Sequence, residues 1–455
     1  MSMLYANASQ IDITPPLGTV INGEFTCRYA NAIADPLYAK AIYLRQGRVK
    51  LLLIVVDICV MKREFLDPIK AEIERQTGMP IANQLISSTH AHSTGSVADL
   101  LLAHADLGYR KLLSERLLDL ATLVVEDPKP VKIAFGRVSK PEHVTCRRYH
   151  MKDSYQANNP VSGLTDRVKT NPFGAEENIV ERNSEPDGEL CYLGIQTISG
   201  TWIALLANYG LHYVGDCPRN TISADYFGYF AKAVGQLLGT TDAVIAMTNG
   251  TSGEVNIWDF IDGNRYPKED HAKSKFIADD LASAVVESLK VADWELDPEL
   301  HCVALDLILR KRLISSELLE RANKIVKSTD YEQLSYSDED LYEKVYAREQ
   351  LLLEDHPDSV QFPIQSIRIG KTQIGALGGE FFAATGLSLK SIFPQYFTIT
   401  MANDYVGYVP PAHEFEKGGY ETWRARSSFL TEQAEAQIKQ SLIELLNEQR
   451  DVNKR

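Results

Sequence analysis

Apolar runs alternate with amphipathic segments along the 455-residue chain, and this alternation restricts it to a mixed α/β fold. Residues 39–44 and 50–60 are apolar runs separated by Gln46-Gly47, which predicts a β-hairpin. In residues 62–77 apolar side chains recur at four-residue spacing, which predicts a helix that ends at Gly78. The sequence therefore predicts β-sheets flanked by helices from its first hundred residues onward.

The same pattern continues to the end of the chain. Apolar runs predict further strands over residues 83–88, 131–138, 190–198, 202–208, 243–248, 301–309, 363–369, 372–377 and 396–401. Helices are predicted over residues 110–125, 224–238, 273–289, 314–354 and 430–450. Residues 149–187 are polar and rich in Asn, Pro and Gly, which predicts a long loop beside the active site. No repeat or linker interrupts the pattern, so we expect one domain over residues 1–455.

Composition restricts the partners of the chain. Its net charge is −14, with acidic residues scattered along the sequence, which argues against nucleic acid or an anionic membrane as the main partner. No stretch approaches the roughly 20 apolar residues needed to cross a bilayer, and the N-terminus lacks the pattern of a signal peptide. We therefore expect a soluble, cytoplasmic protein without stable membrane insertion, although a removed leader stays open.

The six cysteines form no Cys-x-x-Cys pair, so free thiols are expected. The oligomeric state is not indicated.

Two histidines, His90 and His92, follow the predicted strand 83–88. Residues i and i+2 of a strand share a face, so both imidazoles are expected on one side of the sheet. Neutral imidazole is a good zinc ligand, and the pair would begin a metal site. The alternative is a hydrogen-bonded pair of histidines without a metal.

Further polar residues stand at predicted strand ends, where active-site side chains concentrate. His212 ends an apolar run, and Glu380 lies just past the predicted strand 372–377. Each also has a simpler explanation: His212 as a hydrogen-bonded, half-buried histidine, and Glu380 as a carboxylate at a helix N-terminus. Ser223 is the expected N-cap of the helix that follows it.

The small residues of 248–256 allow two interpretations. Their backbone amides could bind an oxyanion in a cleft, or the glycines could only supply a tight loop. Near the C-terminus Tyr405, Tyr408 and Tyr420 form a cluster whose spacing alone indicates packing residues.

Taken in order, these clusters resemble the N-terminal catalytic domain of the neutral (non-lysosomal) ceramidases and their bacterial relatives. The resemblance spans about 400 residues and is carried by residues 12–16 (DITPP), 35–40 (DPLYAK), Asp57, 89–93 (THAHS), 147–149 (RRY), 151–153 (MKD), 208–212 (NYGLH), 223–225 (SAD), 253–256 (GEVN), 379–381 (GEF) and the tyrosine cluster. It implies the mixed α/β fold of that domain.

The resemblance also implies a site. That family binds one zinc through two histidines, a glutamate and a tyrosine, which correspond to His90, His212, Glu380 and Tyr408. Tyr408 is preferred to Tyr405 because the family motif places another functional tyrosine twelve residues after the ligand, and Tyr420 stands there. The implied catalytic residues are His92 as proton shuttle, with Arg147 and Tyr420 as donors to the oxyanion. Asp225 or Glu254 is expected to orient a ligand histidine.

The resemblance implies a zinc-dependent hydrolase that cleaves an amide (N-acyl) bond through attack of a zinc-bound water. Two features depart from ceramidases: Gly250 stands where their loop carries a serine, with Glu254 in place of an aspartate, and the chain stops at Arg455 with no C-terminal immunoglobulin-like domain. The expected substrate is therefore a small N-acyl, lipid or glycan-like molecule that need not be ceramide. The alternatives are an esterase or carbohydrate-active hydrolase with the same chemistry, or a non-catalytic zinc-binding module.

Overall fold

The computed structural model describes residues 3–263 and 265–451. Residues 1, 2, 264 and 452–455, which the expected domain 1–455 includes, lie outside the described residues. Within the described part, several β-sheets and flanking helices form the mixed α/β fold that the sequence predicts. None of the described helices has the length and apolar character needed to span a bilayer.

The largest sheet, called the large sheet below, has nine strands in the described part of the chain. Eight of them follow one another in the order Val244–Asn249, Trp202–Tyr209, Glu189–Thr197, Lys129–Ser139, Tyr5–Asp12, Tyr38–Gln46, Val49–Val56 and Gln84–Ser88, and Trp294–Glu295 pairs with Lys129–Ser139. The central pairs are antiparallel, whereas the outermost pair at each edge is parallel. Each parallel pair is joined by a crossover helix, as βαβ geometry requires.

A second sheet, the small sheet, packs on one face of the large one. Its strands run in the order Leu300–Arg310, Ser359–Ile369, Thr372–Leu377 and Tyr396–Ile399, and the last pair is again parallel. Val49–Val56 shows why both faces of the large sheet are apolar. Leu51, Leu53 and Val55 pack in the cluster between the two sheets, whereas the alternate residues pack under the helices on the other face.

The described helices are Arg63–Thr77, Leu107–Val124, Asp225–Leu238, Ala272–Leu289, Ser316–Lys327, Leu341–Glu354, Ala383–Ile392, Ala412–Phe415 and Ala434–Asp451. The first four cover the outer face of the large sheet as two pairs. Ala434–Asp451 packs on the outer face of the small sheet. The core therefore consists of four layers, with helices outside and two sheets inside.

The remaining strands are short and lie in the connections. They are Val20–Ile21, Arg28–Tyr29, Ala32–Ile33, Thr145–Cys146, Arg148–Met151, Ala157–Asn158, Thr165–Asp166, Val168–Thr170, Ile179–Arg182, Thr221–Ile222, Val255–Asn256, Glu380–Phe381 and Tyr408–Val409.

The predicted hairpins and most predicted helices are confirmed. Tyr38–Gln46 pairs antiparallel with Val49–Val56, and Gly47 in the turn has the positive φ (58°) that favours glycine. Helix Arg63–Thr77 ends at Gly78, also at positive φ (64°). The six cysteines are free, as expected.

Two predictions about secondary structure were wrong. The expected loop 149–187 contains five of the short strands, each two to four residues long, which is too short for a periodic pattern to show. The single helix expected over 314–354 is two helices, Ser316–Lys327 and Leu341–Glu354, because residues 328–340 carry Ser, Thr, Asp and Tyr at positions where the apolar period lapses.

The two sheets meet near the carboxyl ends of their parallel strands. Thr400 donates its backbone N–H to Asn249 O (3.0 Å) at one edge of the large sheet, and Met401 O accepts from Ser88 N (3.1 Å) at the other. The segment after Tyr396–Ile399 therefore joins both edges. Ligands of open α/β sheets bind beyond the carboxyl ends of parallel strands, so this is where a site is expected.

Candidate metal centre

His90 lies just beyond strand Gln84–Ser88, where the chain turns away from the large sheet. Its backbone N–H donates to Ile58 O (2.9 Å), and its φ of 66° is left-handed. Such a backbone breaks strand alternation, so the predicted reason for the pairing of His90 with His92 was wrong. The turn nevertheless brings the two rings edge to face, with 3.2 Å between their Nε2 atoms.

His212 reaches the same place from the end of strand Trp202–Tyr209. Its Nδ1 lies 3.1 Å from Ser252 O, and Nδ1 of His90 lies 2.8 Å from Cys59 O. A carbonyl only accepts, so each ring holds a proton on Nδ1 and turns Nε2 towards the site. Backbone carbonyls therefore orient both histidines, and the expectation that Asp225 or Glu254 does so was wrong.

Asp225 and Ser223 instead build the backbone around the site. The carboxylate of Asp225 accepts from the backbone N–H groups of Val214 (3.0 Å) and Gly215 (2.8 Å), which fixes the turn after His212. Ser223 Oγ donates to Asp35 and accepts from Asp225 N. The helix N-cap is Ala224, which lacks a capping side chain, so the expectation that Ser223 is the N-cap was wrong.

Glu380 completes a group of three side chains. One carboxylate oxygen, Oε2, lies 3.6 Å from Nε2 of His90 and 3.7 Å from Nε2 of His212. The other, Oε1, accepts a hydrogen bond from the hydroxyl of Tyr405 (2.7 Å). All three side chains are 1–2% exposed.

The group is incomplete as a hydrogen-bonded cluster. Nε2 of His212 and Oε2 of Glu380 are buried and have no hydrogen-bond partner among the described residues. Leaving buried polar atoms unpaired costs about 1–3 kcal/mol each. Together with Nε2 of His90, their ligand atoms lie within 4.8 Å of one another. Two imidazole nitrogens and a carboxylate oxygen at this spacing fit a divalent cation, which would bind all three once His90 gives up its Nε2 proton.

Proton and cation compete at this group. Burial lowers the pKa of His90, but the Glu380 carboxylate and the Cys59 thiol outweigh burial and raise this pKa to about 10. For His212, burial and the charges of His90 and Arg147 hold the pKa well below its usual value. A cation at the site would therefore displace one proton, chiefly from His90.

His92 stands beside the group rather than within it. Its ring stacks on Tyr213 with 3.8 Å between centroids, and a Cβ at Gly23 would come within 2.5 Å of His92 Cγ, so only glycine fits there. Burial, together with the positive charge of His90 and Arg28, holds the pKa of His92 well below its usual value. His92 is a neutral imidazole at neutral pH.

Arg147 links the two remaining tyrosines to the group. Its Nη2 donates to the hydroxyl of Tyr408 (3.0 Å) and to Gly253 O (2.6 Å), and its Nε donates to Glu421 (3.0 Å). The hydroxyls of Tyr408 and Tyr420 are 3.4 Å apart. Tyr408 lies opposite Glu380 in a short parallel pair, which holds the phenol next to the carboxylate.

The structure brings the seven predicted site residues together. Six of them line one cavity of about 400 Å³, namely His90, His92, Arg147, Glu380, Tyr408 and Tyr420. His212 is not among the lining residues and contacts the group through its Nε2, 3.7 Å from Glu380 Oε2. Sequence reasoning set Tyr405 aside as a ligand and gave it no role, yet its phenol is the hydrogen-bond donor to Glu380.

The loop 248–256 is a close-packed support. Gly250 N donates to Tyr209 O (2.8 Å) and Gly253 N to Phe381 O (2.8 Å), so these two amides are not free to bind an oxyanion. A Cβ at Gly253 would lie 2.7 Å from Glu380 O. This contact favours the interpretation that small residues let the loop approach Glu380 closely. Gly250 itself does not line the cavity.

Glu254 gives a pH-dependent stability that can be measured. Burial raises the pKa of Glu254 to about 8, although the N–H of Ala383 donates to both carboxylate oxygens (3.0 Å each) and lowers it. In the unfolded chain this pKa is near 4.5. The folded state therefore retains a proton that the unfolded state loses, and the stabilisation present below about pH 4.5 is lost as pH rises through 8.

We expect Glu254→Gln, which keeps the neutral form, to remove this dependence and to be more stable than the wild type at pH 8.5 by at least about 1 kcal/mol. Urea unfolding at pH 5.5 and 8.5 measures the difference. Equal slopes of stability against pH in the two proteins would show that Glu254 is charged in the folded state.

The chain is similar to known proteins in its structure. No protein-family model and no curated protein sequence matches the chain. Solved structures with a similar fold include a neutral ceramidase from Pseudomonas aeruginosa, at a TM-score of 0.71 and 13% identity over 97% of this chain and 74% of that one. They also include a ceramidase complexed with C2, at a TM-score of 0.71 and 13% identity over 99% of this chain and 76% of that one. The chain therefore has the ceramidase fold, as its motif order predicts.

Proposed function

We propose that the chain is a zinc-dependent hydrolase that cleaves the amide bond of a small N-acyl compound. The observation that carries the proposal is the pair of buried, unpaired ligand atoms, His212 Nε2 and Glu380 Oε2, facing His90 beside a cavity. Two imidazoles and one carboxylate are a common ligand set of catalytic zinc. The fold shared with ceramidases, which by their name act on N-acyl lipids, supports amide chemistry.

His90, His212, Glu380 and Tyr408 would hold the metal. When bound, zinc supplies an activated water and a Lewis acid for the substrate carbonyl. Arg147 carries a permanent positive charge in a buried site and lies over the rings of Tyr408 (5.5 Å) and Tyr420 (5.0 Å) from its Cζ to each centroid. That charge would stabilise an oxyanion far more than it could in water.

Tyr420 and His92 would serve as donor and proton carrier. Burial raises the pKa of Tyr420 far above its usual value, so its hydroxyl stays protonated and able to donate to the carbonyl oxygen. His92 is neutral, and its Nδ1 has no hydrogen-bond partner among the described residues. It would take up a proton at the start of the reaction and return it to the leaving amine.

Metal content combined with a substrate panel tests the proposal. Purified protein should contain about one zinc per chain and hydrolyse N-acyl substrates faster than matched esters and glycosides. Removal of the metal by chelation should abolish turnover, and zinc should restore it. If only esters or glycosides are hydrolysed, the enzyme cleaves a different bond from the one proposed. Undiminished amidase activity without metal would reject the proposal.

The number of protons released on zinc binding tests whether Tyr408 is the fourth ligand. Burial and the Glu380 carboxylate raise the pKa of Tyr408 well above its usual value, so a coordinating phenol must release a proton when zinc binds. We expect Tyr408→Phe to release about one proton fewer than the wild type, whereas Tyr405→Phe, the matched control, should release as many. Calorimetric titration of zinc in buffers of different ionisation enthalpy measures the number. Equal proton release by wild type and Tyr408→Phe would remove Tyr408 from the ligand set.

A further inference from the structure

The cavity beside the metal centre has little aliphatic surface. In the described part of the chain, the aliphatic side chains that line it are those of Leu100, Leu101, Ala157 and Val168. Burial of an alkyl chain yields about 0.8 kcal/mol for each CH₂, and this requires walls that replace water with hydrocarbon. The rest of the lining is aromatic or polar, which is the combination that suits a ring carrying hydroxyl groups better than a bare alkyl chain.

Aromatic rings line the cavity from its base to its mouth. Tyr346 is 1% exposed and meets Trp423 edge to face at 5.1 Å between centroids. Tyr342 is 43% exposed, and Phe173 at the mouth is 63% exposed. These rings offer flat apolar surfaces of about the size of a sugar ring.

The aromatic rings are held in place by specific contacts. Asp166 accepts from the indole Nε1 of Trp423 (2.7 Å) and from Gly419 N (2.8 Å). Phe25 packs edge to face on Tyr342 at 4.8 Å between centroids, and its N–H donates to the hydroxyl of Tyr336 (3.1 Å). Such contacts fix the ring planes before a ligand arrives, which lowers the entropic cost of binding.

Two polar groups of the lining form no hydrogen bond with a side chain or backbone group in the described part of the chain. They are the ammonium group of Lys169, which is only attracted at a distance by the Asp166 carboxylate, and the side-chain amide of Asn158. Lys169 is only partly exposed, and burial lowers its pKa. Covering an unpaired ammonium and amide with hydrocarbon would cost free energy, whereas hydroxyl groups would satisfy them.

From these walls we infer that the substrate is an N-acylated amino sugar, with its ring packed against Tyr342 and Phe173 and its hydroxyls bonded to Lys169 and Asn158. This inference rests on the proposed amide hydrolysis and adds the amine half of the substrate. The reaction would break the C–N bond of the N-acyl group with one water, giving a carboxylate and a free amino sugar.

Binding tests the sugar site, and turnover separately tests the hydrolysis of its N-acyl group. Stopped-flow quenching of tryptophan fluorescence, to which Trp423 and Trp258 in the cavity contribute, measures binding to the zinc-loaded protein within milliseconds. The probes are the mono- and disaccharides of N-acetylglucosamine and N-acetylgalactosamine, against a short-chain N-acyl sphingosine in micelles. Carboxylate release from the same mixtures measures hydrolysis.

We expect an N-acetyl disaccharide to bind and to lose its acetyl group faster than the sphingosine loses its acyl chain. Phe173→Ala and Tyr342→Ala should each weaken disaccharide binding at least tenfold. The matched control is Phe276→Ala, which removes a comparably exposed ring (52%) packed on His143 and Tyr266 outside the cavity, and it should change binding less than twofold.

The two proposals fail in different ways. Saccharide binding that depends on Phe173 and Tyr342 without any acetate release would overturn amide hydrolysis and keep the sugar site. Preferred hydrolysis of the sphingosine, failure of every amino sugar to bind at millimolar concentration, or binding that both variants leave unchanged would overturn the sugar site.

Discussion

Replacement of His90, His212 or Glu380 by alanine is expected to lower kcat/KM for amide hydrolysis by about a thousandfold or more and to reduce bound zinc from about one per chain to below about 0.1. Each variant removes one of the three ligand atoms that lie within 4.8 Å of one another. Each variant therefore keeps only three of the four proposed ligands, counting Tyr408, and holds zinc far more weakly than the wild type. Elemental analysis of the purified variants, together with initial rates on the best N-acyl substrate, measures both effects.

The chain contains a matched control for this prediction. Glu142, His143 and Asp280 also place three ligand atoms within 4.8 Å, but the ammonium group of Lys140 already pairs with both carboxylates. We expect His143→Ala to keep the zinc content and activity of the wild type. If His143→Ala loses zinc and His90→Ala keeps it, the metal binds at Glu142, His143 and Asp280 and not at the proposed centre.

Glu421→Ala is expected to destabilise the fold by about 3–5 kcal/mol. The carboxylate is 0% exposed and accepts from Arg147 Nε (3.0 Å), Arg148 Nη1 (2.7 Å) and Thr170 Oγ1 (2.8 Å). Its removal leaves Arg147 without its ion pair and Arg148 with Glu414 alone, and an unpaired buried charge is costly. Urea unfolding followed by circular dichroism measures the change in the free energy of unfolding.

A surface ion pair gives the comparison for the buried Glu421 pairs. Asp279 pairs with Lys275 on an exposed helix face, so Asp279→Ala should cost no more than about 0.5 kcal/mol. Glu421→Gln, which keeps shape and loses charge, should fall between the two. If Glu421→Ala costs less than about 1 kcal/mol, the guanidinium of Arg147 is held by its other contacts, and Glu421 does not position it.

Much of the fold could be predicted because its elements carry local signals. The hairpin Tyr38–Val56 has continuous apolar strands and a glycine turn, and helix Arg63–Thr77 has a four-residue apolar spacing and a terminal glycine. The strands within residues 149–187 have neither signal. Their partners lie 20 and 33 positions away in the same segment, as for Tyr149 opposite Lys169 and Arg182, so no local pattern indicates the pairing.

The site could be predicted only in part, for a related reason. His90, His212 and Glu380 each follow an apolar strand, which the sequence shows directly. Their meeting point depends on strand order in two sheets, which residue spacing does not encode. The prediction that they meet therefore came from the resemblance to ceramidases. The groups that orient the histidines are the carbonyls of Cys59 and Ser252, and a carbonyl has no signature in a sequence.

Equilibrium dialysis of zinc against metal-depleted protein, with amidase activity assayed on the same samples, tests the central claim most directly. We predict one tightly bound zinc per chain, with activity that rises in proportion to occupancy and reaches its maximum at one equivalent. Full amidase activity in protein that binds no zinc would contradict this account, and so would one bound zinc per chain in the His90→Ala variant.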